Sequence, residues 1–593
     1  MRILARLMFV LMLAVPCWGK VIFVDSANEG GIENGRTWET AWGTINEAIA
    51  DAGVEDSIIN VRGGPYTDHS GAGFVQLNAN VVSLTFVAHG AVSWVPAGTV
   101  NYGFRITGNG GTITFNGFTL STSTNQTAPN GCTIFRDTGT KNLVLTNCTV
   151  KGSASATYAI YWAGGASTRS DTYTNCTITN AARGLGFNGG GSLTVTGGSI
   201  TSTGKLGIDW PIQLRQAVAS IAAVTIRNVT LTGGTACILF SGNDALSFGN
   251  VLIEGCTFNL NAGSGSSAAV RFLDDPGEKP RYGRVTITGC TMIEGDGIAI
   301  DCPGNVENLS ITNNTFVLTA ADVDTLIKPD TLIKLDALIE PVALIKLGTD
   351  TGDVNLMHGT VVSGNRLSYA ATGADTEVCI LFLGRELQGA KVFNNTISTP
   401  VGYGIVDKGH YNSIHHNSVS GSNCIWLSTG CSYSEVMNNS CYCTNGAALT
   451  WITEGTTAPK SAVISQNIFH SATGASYCIR DASGSHGSFR IDRNVYYDTG
   501  AVYFARLNGV NISTRTLAAL QTAWDEYSGA DSSNDDHSVY ANPRFVNAAR
   551  GDLRIQATSP AKGIMNPSDP DLSVWNDKGA FQRQVVLPLV INP

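Results

Sequence analysis

An eight-residue phrase recurs along the chain, usually apolar at its first, third and eighth positions: VTITGCTM (285–292), LSITNNTF (309–316), TVVSGNRL (360–367), AKVFNNTI (390–397), NSIHHNSV (412–419), SEVMNNSC (434–441), AVISQNIF (462–469) and FRIDRNVY (489–496). Earlier copies begin at Ile113, Leu143, Asp171, Leu193, Val224 and Val251, most adjacent copies lying about 22 to 34 residues apart. Alternation breaks once within each copy, which predicts strand, tight turn, strand. A second apolar run falls between copies, as in AIYW at Ala159, CILF at Cys237 and Cys379, CIWL at Cys424 and ALTW at Ala448. A fixed unit of this length predicts stacked coils. The expectation is an all-β chain, a single right-handed parallel β-helix with three strands per coil and about a dozen coils.

The columns of the phrase carry separate demands. The fifth position is mostly Gly or Asn, the residues that best tolerate positive φ. At the sixth, Cys148, Cys176, Cys256 and Cys290 give way to Asn314, Asn365, Asn395, Asn417, Asn439, Asn467 and Asn494. Asparagines stacked in one column are placed to hydrogen-bond from coil to coil. The seventh is nearly always Thr or Ser, from Thr119 to Ser440, and is expected to face solvent; Arg366 interrupts it.

Segments outside the repeat complete the picture. Ile45, Ala48, Ile49 and Ala52 form one apolar helical face, a cap for the open end of a sheet; Thr514 to Trp524 reads as a second helix. DTLIKPDTLIKLDALIEPVALIKLG repeats Leu every six residues but carries Pro329 and Pro341, so it is expected to be an expanded loop whose last copy, ALIKL, serves as a coil strand. The expected organisation is a secretory signal over 1–19, from the charged start and the apolar run Leu7 to Val15; an entry, cap and first coils over 20–110; coils over 111–504 with an insertion at 319–347; and a closing segment over 505–593.

The pattern V-D, G-x-x-W-x-x-A-x-x-x-I-x-x-A-I, then I-x-V-x-x-G-x-Y, carried here by Val24, Asp25, Gly35, Trp38, Ala41, Ile45, Ala48, Ile49, Ile58, Val61, Gly64 and Tyr66, resembles the entry of secreted right-handed parallel β-helix proteins of the pectate-lyase-like superfamily. Asn542-Pro543, Phe545, Gly551 to Ile555, Ser559 to Ala561 and Gly579 to Phe581 are similar to the closing segment of the same superfamily. The resemblance implies an extracytoplasmic protein that binds, and in some members cleaves, an extracellular or cell-wall polysaccharide.

A net charge of -9, a pI near 5.5 and no basic stripe exclude an ordinary nucleic-acid partner. No further run is long and apolar enough to span a membrane. The 14 cysteines mostly share columns, which makes them packing residues; Cys424, Cys431, Cys441 and Cys443 are close enough in sequence for one bridge.

In the resembled superfamily the groove runs along the outer face of one sheet. The outward positions of the second strand read Tyr161, Gly186, Gln213, Leu239, Arg271, Ala299, Leu381, Val406, Trp426, Thr450 and Arg480, ending at Tyr503. Trp426, Tyr161, Arg271 and Arg480 are the substrate-binding candidates, rings for sugar faces and guanidinium for uronate. The turn after this strand is dense in charge, with Asp274, Asp275, Asp301, Glu454 and Asp481 among its residues. There Arg385, Glu386, Asp407, Lys408 and His410 are the catalytic candidates. For β-elimination from a uronide, Lys408 or His410 is the base and Arg385 the stabiliser; Glu386 and Asp407 are Ca²⁺ ligands or, alternatively, the carboxylate pair of a hydrolase. His415 and His416, as neighbours in a strand, are expected to point to opposite faces. The alternative to all of this is a non-catalytic surface or adhesion scaffold.

Overall fold

The computed structural model describes residues 19–562 apart from short connecting segments; 274–280, 319–341, 349–356, 370–377, Glu386, 452–460 and 482–488 are among the segments outside that description, as are 1–18 and 563–593. The expected signal, most of the hexapeptide stretch and the Gly579 to Phe581 motif therefore lie outside the described residues.

Strand propensity and the repeated turn produce parallel coils throughout. The chain divides into two units, Met1–Gly233 with Ile238–Gly249, and Gly234–Cys237 with Asn250–Pro593. In the first, Lys20–Asp25 pairs in parallel with Ser57–Arg62, and that strand with Ser83–Trp94. Helix α1 (Ile45–Ala52) starts at a capping box, Thr44 with Glu47, and buries Ile45, Ala48 and Ala52. Later coils stack phrase on phrase, Ile113 on Leu143 and Leu193 on Val224. Asp171 stands where the phrase asks for an apolar residue. Its buried carboxylate accepts from Arg136 at 3.0 Å and from the Leu143 N–H at 2.9 Å, so the charge is compensated inside the coil.

In the second unit Val285 stacks on Val251 and Leu309 on Val285, and the later phrases follow in register. The last hexapeptide copy, within Val342–Leu347, is a coil strand between Ile298–Cys302 and Val378–Leu383. The inward apolar column forms the core, with Ile287, Ile311, Val362, Val392, Ile414, Val436 and Ile464 all fully buried.

The asparagine column is a continuous ladder. Each Nδ2 donates to the Oδ1 of the next coil: Asn314 to Asn365 at 3.0 Å, Asn365 to Asn395 at 2.9 Å, then onward through Asn417, Asn439 and Asn467 to Asn494 at 3.1 Å. The second amide hydrogen mostly reaches a backbone carbonyl of the preceding coil, so these buried side chains are satisfied. Ser538 takes the column's last place, accepting from the Asn494 N–H at 2.7 Å and donating to Asp535. The residues before the ladder have positive φ, as expected for Asn313 (57°) and Asn394 (55°), and His416, Gln466 and Arg493 adopt it too. The thirteen described cysteines are all free and buried, including the four in which one bridge was allowed.

The Thr/Ser column corrects one expectation. Its early members reach solvent, but Ser418 and Ser440 are 1% exposed. The closing segment folds back there: strands Phe545–Asn547 and Asp552–Ile555 pair antiparallel, and Phe545, Leu553 and Ala561 pack on Ile468 and Val495, the apolar residues that replace Thr/Ser in the last coils. Helix α2 (Leu517–Ser528) lies close to the predicted span, burying Leu520 and Trp524, the latter stacked on Trp451 at 5.6 Å.

Candidate functional site

The coil register defines the outward column of the second strand. In the second unit it runs Arg271, Asp301, Lys346, Phe382, Val406, Trp426, Thr450, Arg480, Arg506. Three expected members are corrected. Ala299 and Leu381 are fully buried, Leu381 stacking with Ile345 and Ile405, and their places belong to Asp301 and Phe382. The final place belongs to Arg506, whereas Tyr503 stacks on Tyr477 at 6.1 Å. These strands are apolar on both faces, so period-two alternation does not locate the outward residue.

Chemistry varies along this column. Arg271 is committed to Asp301, Nε to Oδ2 at 3.0 Å. Phe382 and Val406 form a buried apolar cluster with Ala343 and Cys379, against which Tyr403 and Trp426 pack with ring centroids 4.6 Å apart. Beyond it come Thr450, Arg480 and Arg506. Trp426 Nε1, Thr450 Oγ1, Arg480 Nε and Arg506 Nε are shielded from solvent and have no hydrogen-bond partner among the described residues. Arg480 and Arg506 are register neighbours, and among the described residues neither forms an ion pair.

In the first unit the corresponding column is Gln76, Arg105, Phe135, Tyr161, Gly186, Gln213, Leu239. Tyr161 lies in an aromatic run: Tyr102 stacks on Phe135 at 5.0 Å, Phe135 lies 6.2 Å from Tyr161, and Tyr161 stacks on Tyr158 at 4.6 Å. Gly186 opposite Tyr161 is required by close approach, since a Cβ there would fall 2.3 Å from the Tyr158 ring.

The charged corner after the strand is built around a buried carboxylate. Asp407 is fully buried. One oxygen accepts from Gly409 N–H at 2.9 Å and Asn412 Nδ2 at 2.8 Å, the other from Ser434 Oγ at 2.8 Å and from the Cys431 thiol. Burial raises its pKa above the ordinary carboxylate range against the pull of these donors. This carboxylate holds the turn together. Lys408 is 4% exposed, with Nζ 5.9 Å from the Phe382 ring centre. Arg385 lies beside Gly430 and the Lys408 carbonyl, a Cβ on Gly430 falling 3.4 Å from Arg385 Nε. His410 hydrogen-bonds through Nδ1 to Ser432 Oγ. Arg385, Asp407, Lys408 and His410 therefore share a corner over successive coils, in which Asp407 and His410 are bound to different partners, and Glu386 lies outside the described residues. No group of three or more His, Cys, Asp or Glu side chains among the described residues is spaced to hold a metal ion.

Two further positions behave differently from expectation. His415 and His416 do meet, Nδ1 to Nδ1 at 2.8 Å, because His416 turns out of the strand at φ 55°. Arg366 lines a cleft of about 370 Å³ with Arg550, Asp552 and Arg554 of the closing segment.

Sequence reasoning missed Tyr411 and Tyr433. Both have positive φ (55° and 57°), are 54% and 48% exposed, and stack at 4.9 Å with planes 7° apart. A readable sign existed: the residue just before the phrases that begin at Leu309, Thr360, Ala390, Asn412, Ser434 and Ala462 is Asn308, Gly359, Gly389, Tyr411, Tyr433 and Ser461, a second left-handed column in which only the tyrosines are bulky.

No family model matches the chain, and no curated protein matches it. Among solved structures it is similar to the Dettilon tailspike protein (gp208), with 15% sequence identity over 68% of each chain and a TM-score of 0.38.

Proposed function

We propose that this β-helix binds an acidic extracellular or cell-wall polysaccharide along the outer face of its second strands, over Trp426, Thr450, Arg480 and Arg506. The observation that carries the reading is the pair Arg480 and Arg506, adjacent on the sheet face and without an ion pair among the described residues. Like charges directly opposite on a sheet repel, and a carboxylate lying across both removes the penalty while using the planar fork of each guanidinium. Trp426 offers a ring for the apolar face of a neighbouring sugar. Tyr161 extends the same logic to the outer face of the first unit, while the engagement of Arg271 with Asp301 takes it out of the ligand set.

Binding is the part of the expectation best supported. Cleavage of a uronide would draw a base from Lys408 or His410, and the burial of Lys408 and the enclosure of Asp407 weigh against it. The test is affinity electrophoresis against polygalacturonate and neutral glucans, with Arg480→Ala and Arg506→Ala, followed by absorbance of unsaturated uronides and release of reducing ends, with Lys408→Ala alongside. Retardation by polygalacturonate that weakens about tenfold in either arginine variant supports the reading. Retardation by no glycan would leave the scaffold alternative.

A further inference from the structure

We propose that the corner before the repeated phrase holds a slot for a single sugar ring, floored by Gly389 and walled by the face of Tyr411. The inference rests on the glycan reading for the class of ligand and places it on a corner of the coil, apart from the arginine column.

Three observations carry it. First, Tyr411 and Tyr433 occupy left-handed turn positions that the neighbouring coils give to Asn308, Gly359, Gly389 and Ser461. A bulky residue there is a conformational outlier, and an outlier repeated in consecutive coils points to a use for the side chain. Second, the rings are half-exposed and parallel. Each covers one face of the other, which leaves the Tyr411 face toward Gly389 to be covered by something else. Third, the space beside that face is open among the described residues: a Cβ on Gly389 would meet none of them within 4 Å, whereas one on Gly359 would fall 2.9 Å from Asn308 Oδ1. The Asn308 amide thus leans over Gly359, and the level of Gly389 stays vacant between the amide and the tyrosine ring.

One coil step is about 4.8 Å, room for one ring in line with the tyrosine stack. One wall is aromatic, the far side carries an amide, and the mouth opens to water. A pyranose matches this set: its face of axial hydrogens lies on Tyr411, its opposite face looks toward the Asn308 amide, and its hydroxyl edge opens to the solvent.

The experiment uses the full chain, with oligogalacturonides and cello-oligosaccharides as probes in calorimetric titration, and circular dichroism to check the fold. Tyr411→Asn removes the wall with a residue that this column already accepts at Asn308. Gly389→Asn keeps the wall and fills the slot with a residue that tolerates the φ of 70°. The expected result is an affinity loss of about tenfold for one probe in each variant, with an unchanged spectrum. Binding weakened by Arg480→Ala and untouched by both corner variants overturns the slot while leaving the glycan reading intact. Failure of the wild-type protein to bind either probe overturns the slot as well, and polygalacturonate retardation then decides the wider reading separately.

Discussion

Asn417 shows what one side chain of the ladder does. It accepts from both the N–H and Nδ2 of Asn395, and gives its own hydrogens to Asn439 and the Val392 carbonyl. Asn417→Ala leaves these groups unpaired in a dry interior, so a loss of about 3 kcal/mol is expected in denaturant unfolding. Tyr411 is the opposite case. Asparagine holds the left-handed conformation at about 1 kcal/mol less cost than a bulky residue, against the loss of an exposed ring contact worth about 0.5 kcal/mol. Tyr411→Asn should therefore unfold at the same denaturant concentration as the wild type or slightly higher, and a clear drop would mean that the ring pair is a stabilising device. The asparagine column was legible because identical chemistry recurs at one position of a repeat. The tyrosine column was missed because its members share only a backbone angle, which glycine, asparagine, serine and tyrosine express in different letters.

At the scale of elements, the phrase strands were readable from alternation and the second strands were not. Where both faces are buried, as at Cys379 to Leu383, every position is apolar and only the stacking register separates Phe382 from Leu381. The closing segment has a similar lesson. Its existence was readable, but what it covers was not, and it covers His470. That imidazole is 8% exposed, lies between Tyr442, Tyr497 and Phe545, and neither ring nitrogen has a partner among the described residues. Burial depresses its pKa from 6.5 to about 4. A histidine whose folded pKa lies below its unfolded value favours the unfolded chain as it gains a proton, so stability is complete above pH 6.5 and is lost as pH falls toward 4, by about 3 kcal/mol. Asp535, raised to about 6 by burial, works in the other direction, its contribution falling as pH rises from 3.8 to 6. The prediction is therefore differential: His470→Phe should remove the acid-side loss between pH 6.5 and 4, measured as melting temperature against pH, while leaving the Asp535 trend.

For the whole molecule, the cysteines give the broadest test. Thirteen of the 14 lie among the described residues, all free and buried, and desolvation raises thiols such as Cys148 and Cys176, the latter to about 12, away from the reactive thiolate. Native protein should react negligibly with a thiol reagent, release its thiols only on unfolding, and melt at the same temperature with or without reductant. A reductant-dependent melt would reveal a bridge. Their shared columns made this legible from sequence, since a packing residue repeats with the coil and a disulfide framework does not.

The ladder also has a sense. Each backbone N–H of the ladder, and each Nδ2 from Asn314 to Asn467, donates toward the later coil, so a stack of this kind can recruit a further coil from another molecule that offers one more acceptor. It ends instead on Ser538, whose own hydrogen goes to Asp535. The final coil thus closes the chain of donors on a carboxylate, and the stack carries its own stop against end-to-end polymerisation.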